Sequence, residues 1–211
     1  MANKRESKKV KGDEKDFQFL DKILELSLIT EIQEGSGERP TEDEGFMMDA
    51  IRVSRKSSCY NVHSGSVIVY DKRAIASGYN GAPPRVKNCL ERGVCYKKER
   101  SGKEYEDTMN SGLCRGVHSE INALLNLNFR PAKDWASKLY TTVLPCNGCA
   151  KSLISSRLFG NIIFGDFYDV KELEDTFSIF NEADIKLFRF RLSKERRQQI
   201  DNRKAEKYFM E

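Results

Sequence analysis

The sequence has no long hydrophobic run. None of its segments approaches the roughly 20 consecutive apolar residues that a membrane-spanning helix needs. Residues 1–15 are polar and rich in lysine, without the apolar core of a secretion signal. We therefore expect a cytoplasmic protein without membrane partners, in which the 6 cysteines are reduced. Reduced cysteines are better interpreted as free thiols or metal ligands than as disulfides.

An excess of charge of one sign is also missing. Lysine and arginine number 36 and aspartate and glutamate 32, which leaves a formal net charge of +4. So small an excess does not by itself indicate DNA or RNA as a partner, although it suits a protein that handles small phosphorylated anions. The 211 residues are enough for one hydrophobic core. We expect one domain at residues 39–192, a charged N-terminal extension at 1–38 and a charged C-terminal tail at 193–211.

The hydrophobic pattern predicts an α/β fold. Residues 16–33 have helical spacing, and Thr41 with Glu44 forms a capping box before a second helix. Two strands form a hairpin around Asp71-Lys72, and residues 81–116 show no periodicity and are expected to be a loop. Strands and helices then alternate, which predicts a partly parallel sheet with helices on both faces. The predicted segments are strands at 139–143, 161–164 and 185–190 and helices at 118–127, 146–158 and 170–181.

Two short motifs carry the candidate chemistry, His118-Ser119-Glu120 and Pro145-Cys146-Asn147-Gly148-Cys149. His118, Cys146 and Cys149 are three good zinc ligands, and a catalytic zinc keeps its fourth position open for water. Both cysteines lie at the predicted start of a helix, where the helix dipole favours the thiolate form that binds metal. Glu120 is placed to act on the bound water without ligating the metal.

Neither motif alone is specific for catalysis. A Cys-x-x-Cys pair also occurs in redox-active sites and in structural zinc sites. Together, a histidine and a cysteine pair that each open a predicted helix are the signature of zinc nucleobase deaminases. In such a site zinc lowers the pKa of its bound water, and Glu120 transfers protons while the water attacks C4 of the base.

Beyond the metal motif, the sequence resembles the deoxycytidylate (dCMP) deaminases, from about Arg39-Pro40 to Leu192. Gly78-Tyr79-Asn80-Gly81 with the following Pro83 narrows the resemblance to these enzymes. The sequence departs from the family at two places. Ser119 replaces the alanine of the usual His-Ala-Glu, and Ser64-Gly65-Ser66 replaces the frequent Val-Gly-Ala. Serine is small, so we expect it to be tolerated at position 119, and neither departure involves a candidate metal ligand.

The resemblance implies a three-layer α/β/α fold of the cytidine deaminase type, with a five-stranded mixed sheet. It implies dCMP as substrate, dUMP as product and a homo-oligomer, often a hexamer. It also implies activation by dCTP and inhibition by dTTP, with Mg²⁺ accompanying these nucleotides. Gly78, Tyr79, Asn80, Gly81 and Asn122 would bind nucleotide, since glycines allow a ligand close to the backbone.

Further residues are candidates without a single assignment. Some members of the resembled family hold a second, structural zinc in this region, and the remaining thiols suit one: Cys59, Cys89, Cys95 and Cys114. The alternative is that these are buried small side chains. The substrate phosphate has four candidate partners: Arg85, Lys87, Arg115 and Arg130.

Two other classes of function stay open. A tRNA or single-stranded DNA deaminase would use the basic C-terminal residues near Phe188 and Phe190, because single strands bind to basic residues combined with aromatic rings. Those two rings, however, alternate within a predicted strand and are expected to face the core. A zinc-stabilised interaction module would have no need of Glu120. The sequence also leaves dCTP and 5-methyl-dCMP open as substrates.

Overall fold

The computed structural model describes residues 28–102, 113–167 and 173–202, together with residue 18. Six strands form one mixed sheet in the order β1-β6-β5-β4-β2-β3. The strands are β1 (Ile29–Glu31), β2 (Gly65–Tyr70), β3 (Arg73–Tyr79), β4 (Ser137–Val143), β5 (Phe159–Asp166) and β6 (Lys186–Arg189). The helices are α1 (Glu42–Ser54), α2 (Cys89–Arg92), α3 (Tyr96–Ser101), α4 (Ser119–Leu125), α5 (Asn147–Ser156), α6 (Leu173–Glu182) and α7 (Lys194–Asn202).

The sheet joins an antiparallel hairpin to a parallel block. β2 pairs antiparallel with β3 and with β4, whereas β4, β5, β6 and β1 run parallel to one another. Asp71 and Lys72 turn the hairpin with positive φ angles of 48° and 59°, as a two-residue turn between twisted strands requires. The hairpin and the strand–helix alternation predicted from the sequence are confirmed.

Two hydrophobic clusters place helices on both faces of the sheet. On one face, α4, α5 and α6 pack against alternate strand residues such as Leu139 and Ile162. On the other face, Met47 and Met48 of α1 pack against the intervening residues, among them Tyr140. This is the predicted three-layer arrangement. None of the helices in the described part of the chain has both the length and the apolar character needed to cross a membrane.

The N-terminal extension differs from the prediction. Residues 29–31 form strand β1, which pairs in parallel with β6, so the sheet has six strands where five were expected. The predicted helix over 16–33 is therefore wrong at its C-terminal end, and residues 16, 17 and 19–27 lie outside the described part. Ile29 is 5% exposed and belongs to the core. A β-branched residue with an open sheet edge beside it favours the extended conformation.

The predicted loop over 81–116 contains two short helices. Asn88 and Glu91 form a capping box that starts α2, and Gly93 ends it with a φ of 73°. Gly102 ends α3 in the same way, with a φ of 64°. Helices of this length have too few positions to produce a hydrophobic period, so the sequence pattern missed them. Residues 103–112 are not described.

The C-terminal segment is tied to the first helix. Arg196 of α7 forms two hydrogen bonds with Glu44 of α1, at 2.6 and 2.8 Å. Glu44 also accepts from the backbone N–H groups of Gly35 and Thr41. The predicted capping box of Thr41 and Glu44 is thus confirmed, and its glutamate also links the two segments that flank the predicted domain. Domain boundaries at 39 and 192 stay a prediction.

Candidate active site

Three potential metal ligands meet where two helices begin. His118 is the N-cap of α4 and Cys146 the N-cap of α5, and neither side chain is used as a helix cap. Cys149 lies one turn into α5. His118 Nδ1 is 3.5 Å from Cys146 Sγ and 3.3 Å from Cys149 Sγ. The fold brings these residues, about 30 positions apart, to one edge of the sheet.

The electrostatics of this group favour a thiolate. Hydrogen bonds from Cys149 and His118 lower the pKa of Cys146 to about 4, although burial opposes this shift. The pKa of Cys149 is raised, because its thiol donates to Cys146 and is buried. The hydrogen bond to Cys146 also raises the pKa of His118. The lowered pKa favours the thiolate of Cys146, which is the form that binds a metal ion.

The donor set fits zinc. The ligand atoms of His118, Cys146 and Cys149 all lie within 4.8 Å of one another. In a tetrahedral zinc site, bonds of about 2.0–2.3 Å separate neighbouring ligand atoms by about 3.6 Å. The observed separations of 3.3 and 3.5 Å are close to this value. Once metal binding displaces the proton of the Cys149 thiol, one imidazole and two thiolates would leave a fourth position for water or substrate.

Glu120 is a buried carboxyl group beside this cluster. Its residue is 3% exposed, and burial raises the pKa of its side chain, against the positive charge of His118. Ser119 Oγ donates to Glu120 Oε2 at 3.0 Å. A carboxyl group with a raised pKa, next to a place for an activated water, is suited to accept and return protons.

A cavity opens onto these residues. It is lined by His118, Glu120 and Cys146 together with residues from the segment before β2, the segment after β3 and helix α3. Of the predicted nucleotide-binding residues, Asn80 and Gly81 line the cavity, whereas Gly78, Tyr79 and Asn122 are not part of its wall. Two of the five predicted nucleotide-binding residues therefore line the cavity, and the other three lie outside its wall.

Several of these residues have structural partners. Asn80 Oδ1 accepts from the backbone of Ser64 at 2.8 Å, and its amide donates to Val62 O at 2.9 Å. Asn122 Nδ2 donates to Tyr79 O at 2.7 Å. These contacts hold the end of β3 to its neighbours. Gly78 is in direct contact with α4, since an added Cβ would lie 2.3 Å from Ala123 N.

The other four cysteines are near the same cavity. Cys59, Cys89 and Cys114 line it. Asn61 links Cys59 with Cys95, since its backbone donates to the first sulfur at 3.4 Å and its side chain to the second at 3.5 Å. These thiols are less tightly grouped than the His/Cys/Cys set. Among the residues that the structure describes, only that set brings three or more potential ligands within 4.8 Å.

Basic side chains of the cavity wall come from the segment between β3 and α4. Lys97 and Arg115 line the cavity, and the Arg115 guanidinium lies 4.3 Å from the centre of the Tyr96 ring. The positive charge of Lys97 opposes the raised pKa of His118. Of the four predicted phosphate partners, only Arg115 is in this wall, and Arg130 instead pairs with Asp134 at 2.9 Å. Lys97 was missed because it belongs to a helix too short to be recognised in the sequence.

Comparison with known proteins identifies the family. A sequence profile described as the cytidine and deoxycytidylate deaminase zinc-binding region matches residues 40–166, more than half of the chain. The chain belongs to this deaminase family. The deoxycytidylate deaminase of Saccharomyces cerevisiae is 30% identical over 159 residues, which are 75% of this chain and 48% of the yeast protein. The probable deoxycytidylate deaminase of Drosophila melanogaster is 32% identical over 127 residues, 60% of each chain.

The resemblance predicted from the sequence is thus confirmed, and this family member spans about half the length of its yeast relative. A crystal structure of the dCMP deaminase from cyanophage S-TIM5, in complex with dCMP and dUMP, superposes with a TM-score of 0.53 and 21% identity. The match covers 72% of this chain and 98% of the phage chain. It confirms the deaminase fold, with the sixth strand as a difference from the expected sheet.

Proposed function

We propose that this chain is a zinc-dependent nucleotide deaminase that converts dCMP and water into dUMP and ammonia. The observation that carries the proposal is the position of Glu120, a buried carboxyl group on the same cavity as His118 and Cys146. A structural metal site would need the ligands but would have no use for this glutamate. The deoxycytidylate deaminases among its relatives support dCMP as the substrate.

Each residue of the site would have a separate role. His118, Cys146 and Cys149 would hold zinc, which supplies Lewis acidity and lowers the pKa of water to near neutrality. Glu120 would take a proton from the attacking water and pass it to N3 of the pyrimidine. It would then carry the remaining proton, from the new C4 hydroxyl, to the leaving amine, so that ammonia departs and the C4 carbonyl of dUMP forms.

Recognition of the nucleotide would come from the cavity wall. Lys97 and Arg115 would pair with the 5′-phosphate, since both basic side chains line the cavity. Gly81 would allow the sugar to approach the backbone. Asn80 would turn one of its polar atoms to the ligand while the other keeps its contact with Val62 or Ser64.

The direct test is ammonia release from a panel of substrates. Purified protein would be incubated with dCMP, dCTP, 5-methyl-dCMP, deoxycytidine and single-stranded oligonucleotides. We expect turnover of dCMP, and loss of that turnover in Glu120→Gln, by about 10²- to 10⁴-fold, while zinc content is unchanged. Turnover of oligonucleotides but not of dCMP would contradict the proposal.

The environment of the basic C-terminal residues argues against a polynucleotide as substrate and so favours a free nucleotide. Phe190 is fully buried and Phe188 packs against the core, so these rings are not available for stacking on bases. Arg189 and Arg191 both pair with Asp166, at 3.1 and 2.7 Å. Cations that are already paired and rings that face the core make a poor surface for single strands. A cytoplasmic location would suit an enzyme of free nucleotides.

A second zinc would be held by Cys59, Cys89, Cys95 and Cys114. Its support is the position of three of these thiols on one cavity wall and the link through Asn61 to the fourth. Four thiolates complete a closed tetrahedral structural site. Binding would draw the sulfurs closer together and would brace the segment between β3 and α4.

Regulation and assembly complete the proposal. The chain would form a homo-oligomer, such as a hexamer, with dCTP as activator, dTTP as inhibitor and Mg²⁺ accompanying them. Tyr79 and Leu125 support a contact near Gly78-Tyr79-Asn80-Gly81 and Asn122, since these two apolar side chains are 40% and 73% exposed beside that segment. An effector bound at such a contact would favour one conformation of the oligomer.

A further inference from the structure

Three serine hydroxyls meet behind Glu120. Ser64 immediately precedes β2, Ser66 lies in β2, and Ser119 is the first residue of α4. Ser119 Oγ is 2.7 Å from Ser64 Oγ and 2.8 Å from Ser66 Oγ. The three residues, here named the serine cluster, are 5%, 0% and 0% exposed in the order Ser64, Ser66 and Ser119. With so little contact with solvent, these hydroxyls depend on protein groups for their hydrogen bonds.

The hydrogen bonds of the serine cluster run toward Glu120. Ser119 Oγ donates to Glu120 Oε2 at 3.0 Å, and an ionised carboxylate can only accept. A hydroxyl has one proton to donate and two lone pairs with which to accept. Because Ser119 gives its proton to Glu120, it accepts from Ser64 and from Ser66. Its hydrogen-bonding capacity is then fully used, and the direction of its O–H bond is fixed.

We propose that Ser119, oriented by Ser64 and Ser66, is a positioning residue for Glu120. The inference rests on the proposed deaminase function, in which Glu120 transfers protons between water and the base. The bond to Ser119 fixes one carboxylate oxygen and so holds the other in a defined direction for proton transfer. The positions at which the sequence departs from the resembled pattern, Ser64, Ser66 and Ser119, thus form one connected group.

The test compares Ser119→Ala, Ser64→Ala and the double variant, with kcat, KM for dCMP and zinc content measured for each. We expect Ser119→Ala to lower kcat by about 10- to 100-fold, the range for a hydrogen bond to a charged group, with KM and zinc content unchanged. Ser64→Ala should lower kcat less. It should have no further effect when Ser119 is already alanine, because Ser64 acts through Ser119.

A matched control is Ser137→Ala. Ser137 is 1% exposed, and its hydroxyl has no hydrogen-bond partner among the described residues. The substitution removes a buried serine hydroxyl from the same sheet without touching the serine cluster, so kcat should not change. A kcat of Ser119→Ala within two-fold of the parent protein would overturn the proposal. A raised KM with unchanged kcat would overturn it as well.

Failure of the deaminase function would be recognised separately. If the parent protein releases no ammonia from dCMP, the proposed function fails. Thermal unfolding can then still test whether Ser119 forms a hydrogen bond with Glu120. The decrease in Tm relative to the parent protein is measured for Ser119→Ala, for Glu120→Ala and for the double variant. A double variant that loses less than the two single losses together supports the hydrogen bond from Ser119 to Glu120. Strictly additive losses overturn it.

Discussion

Gly78 is the point at which the sheet touches the helix that carries the candidate active site. A Cβ at this position would lie 2.3 Å from Ala123 N and 2.4 Å from Ser119 O. Both contacts are to backbone atoms of α4, so no change of rotamer can relieve them. In Gly78→Ala, β3 and α4 must therefore separate by about 1 Å to restore ordinary van der Waals distances.

The cost of this separation can be given in order of magnitude. Overpacking a close-packed contact typically costs about 1–3 kcal/mol, and in a protein of this size each kcal/mol lowers Tm by about 2–4 °C. We therefore expect a Tm roughly 2–12 °C below that of the parent protein. Because His118 and Glu120 move with α4, a shift of about 1 Å should also lower kcat by about 100-fold.

Thermal unfolding and dCMP kinetics are measured on Gly78→Ala and on a matched variant, Gly81→Ala. An added Cβ at Gly81 has its nearest contact at 3.4 Å, to the side chain of Ser58, and Gly81 lines the cavity. Gly81→Ala should therefore keep the parent Tm and change KM for dCMP. If Gly78→Ala keeps the parent Tm and kcat, the packing argument is refuted. If Gly78→Ala only raises KM for dCMP, the result would instead support the predicted role of Gly78 in nucleotide binding.

Three further outcomes are expected. Elemental analysis should find two zinc ions per chain in protein prepared without chelator and one fewer in the Cys146→Ser, Cys149→Ser variant; unchanged zinc would contradict the ligand assignment. With Mg²⁺ present, the curve of activity against dCMP concentration should be sigmoidal without effectors and nearly hyperbolic with dCTP, and dTTP should lower the activity. Three superimposable hyperbolic curves would indicate an unregulated enzyme. The hydrogen bond from Arg196 lowers the pKa of Glu44 from 4.5 to about 2. A lowered carboxyl pKa stabilises the fold above the unfolded-state pKa, and this stability is lost as the pH falls through 4.5 toward 2. The free energy of unfolding of Glu44→Gln, measured with urea, should therefore depend less on pH in this window than that of the parent protein. An equal dependence on pH in the two proteins would argue against the ion pair.

The grouping of the three candidate metal ligands with Glu120 was predictable because its signals are local. His118 and Cys146 each precede a helix that hydrophobic periodicity reveals, and the spacing to Glu120 and Cys149 is short. In an alternating α/β chain, helices that cover the same face of one sheet can begin at the same edge of it. Chain order and spacing were enough to suggest that these residues meet, without knowledge of side-chain packing.

Residues whose role depends on a distant partner were not predictable in this way. Strand β1 forms because β6 has an open edge with which it can pair. The three residues Ile29–Glu31 do not by themselves indicate that partner. The role of Gly78 had the same limit. Its motif suggested a turn or a ligand, and only the approach of α4 makes it a packing position. From the sequence, Arg196 was interpreted as part of a charged tail. In the fold it forms a buried hydrogen bond with Glu44.

The serine cluster shows why single positions mislead in a buried site. By size alone, serine in place of alanine at Ser66 and Ser119, and in place of valine at Ser64, is a small change. A buried hydroxyl without a partner, however, costs about 1–3 kcal/mol, so three isolated hydroxyls would weaken the fold considerably. Ser64 and Ser119 are 55 positions apart in the chain and 2.7 Å apart in space. Each hydroxyl has a partner within this group, and Ser66 and Ser64 have further partners in Thr141 and Thr142, at 3.0 and 3.5 Å. The buried serines therefore cost the fold little, while Ser119 connects them to Glu120.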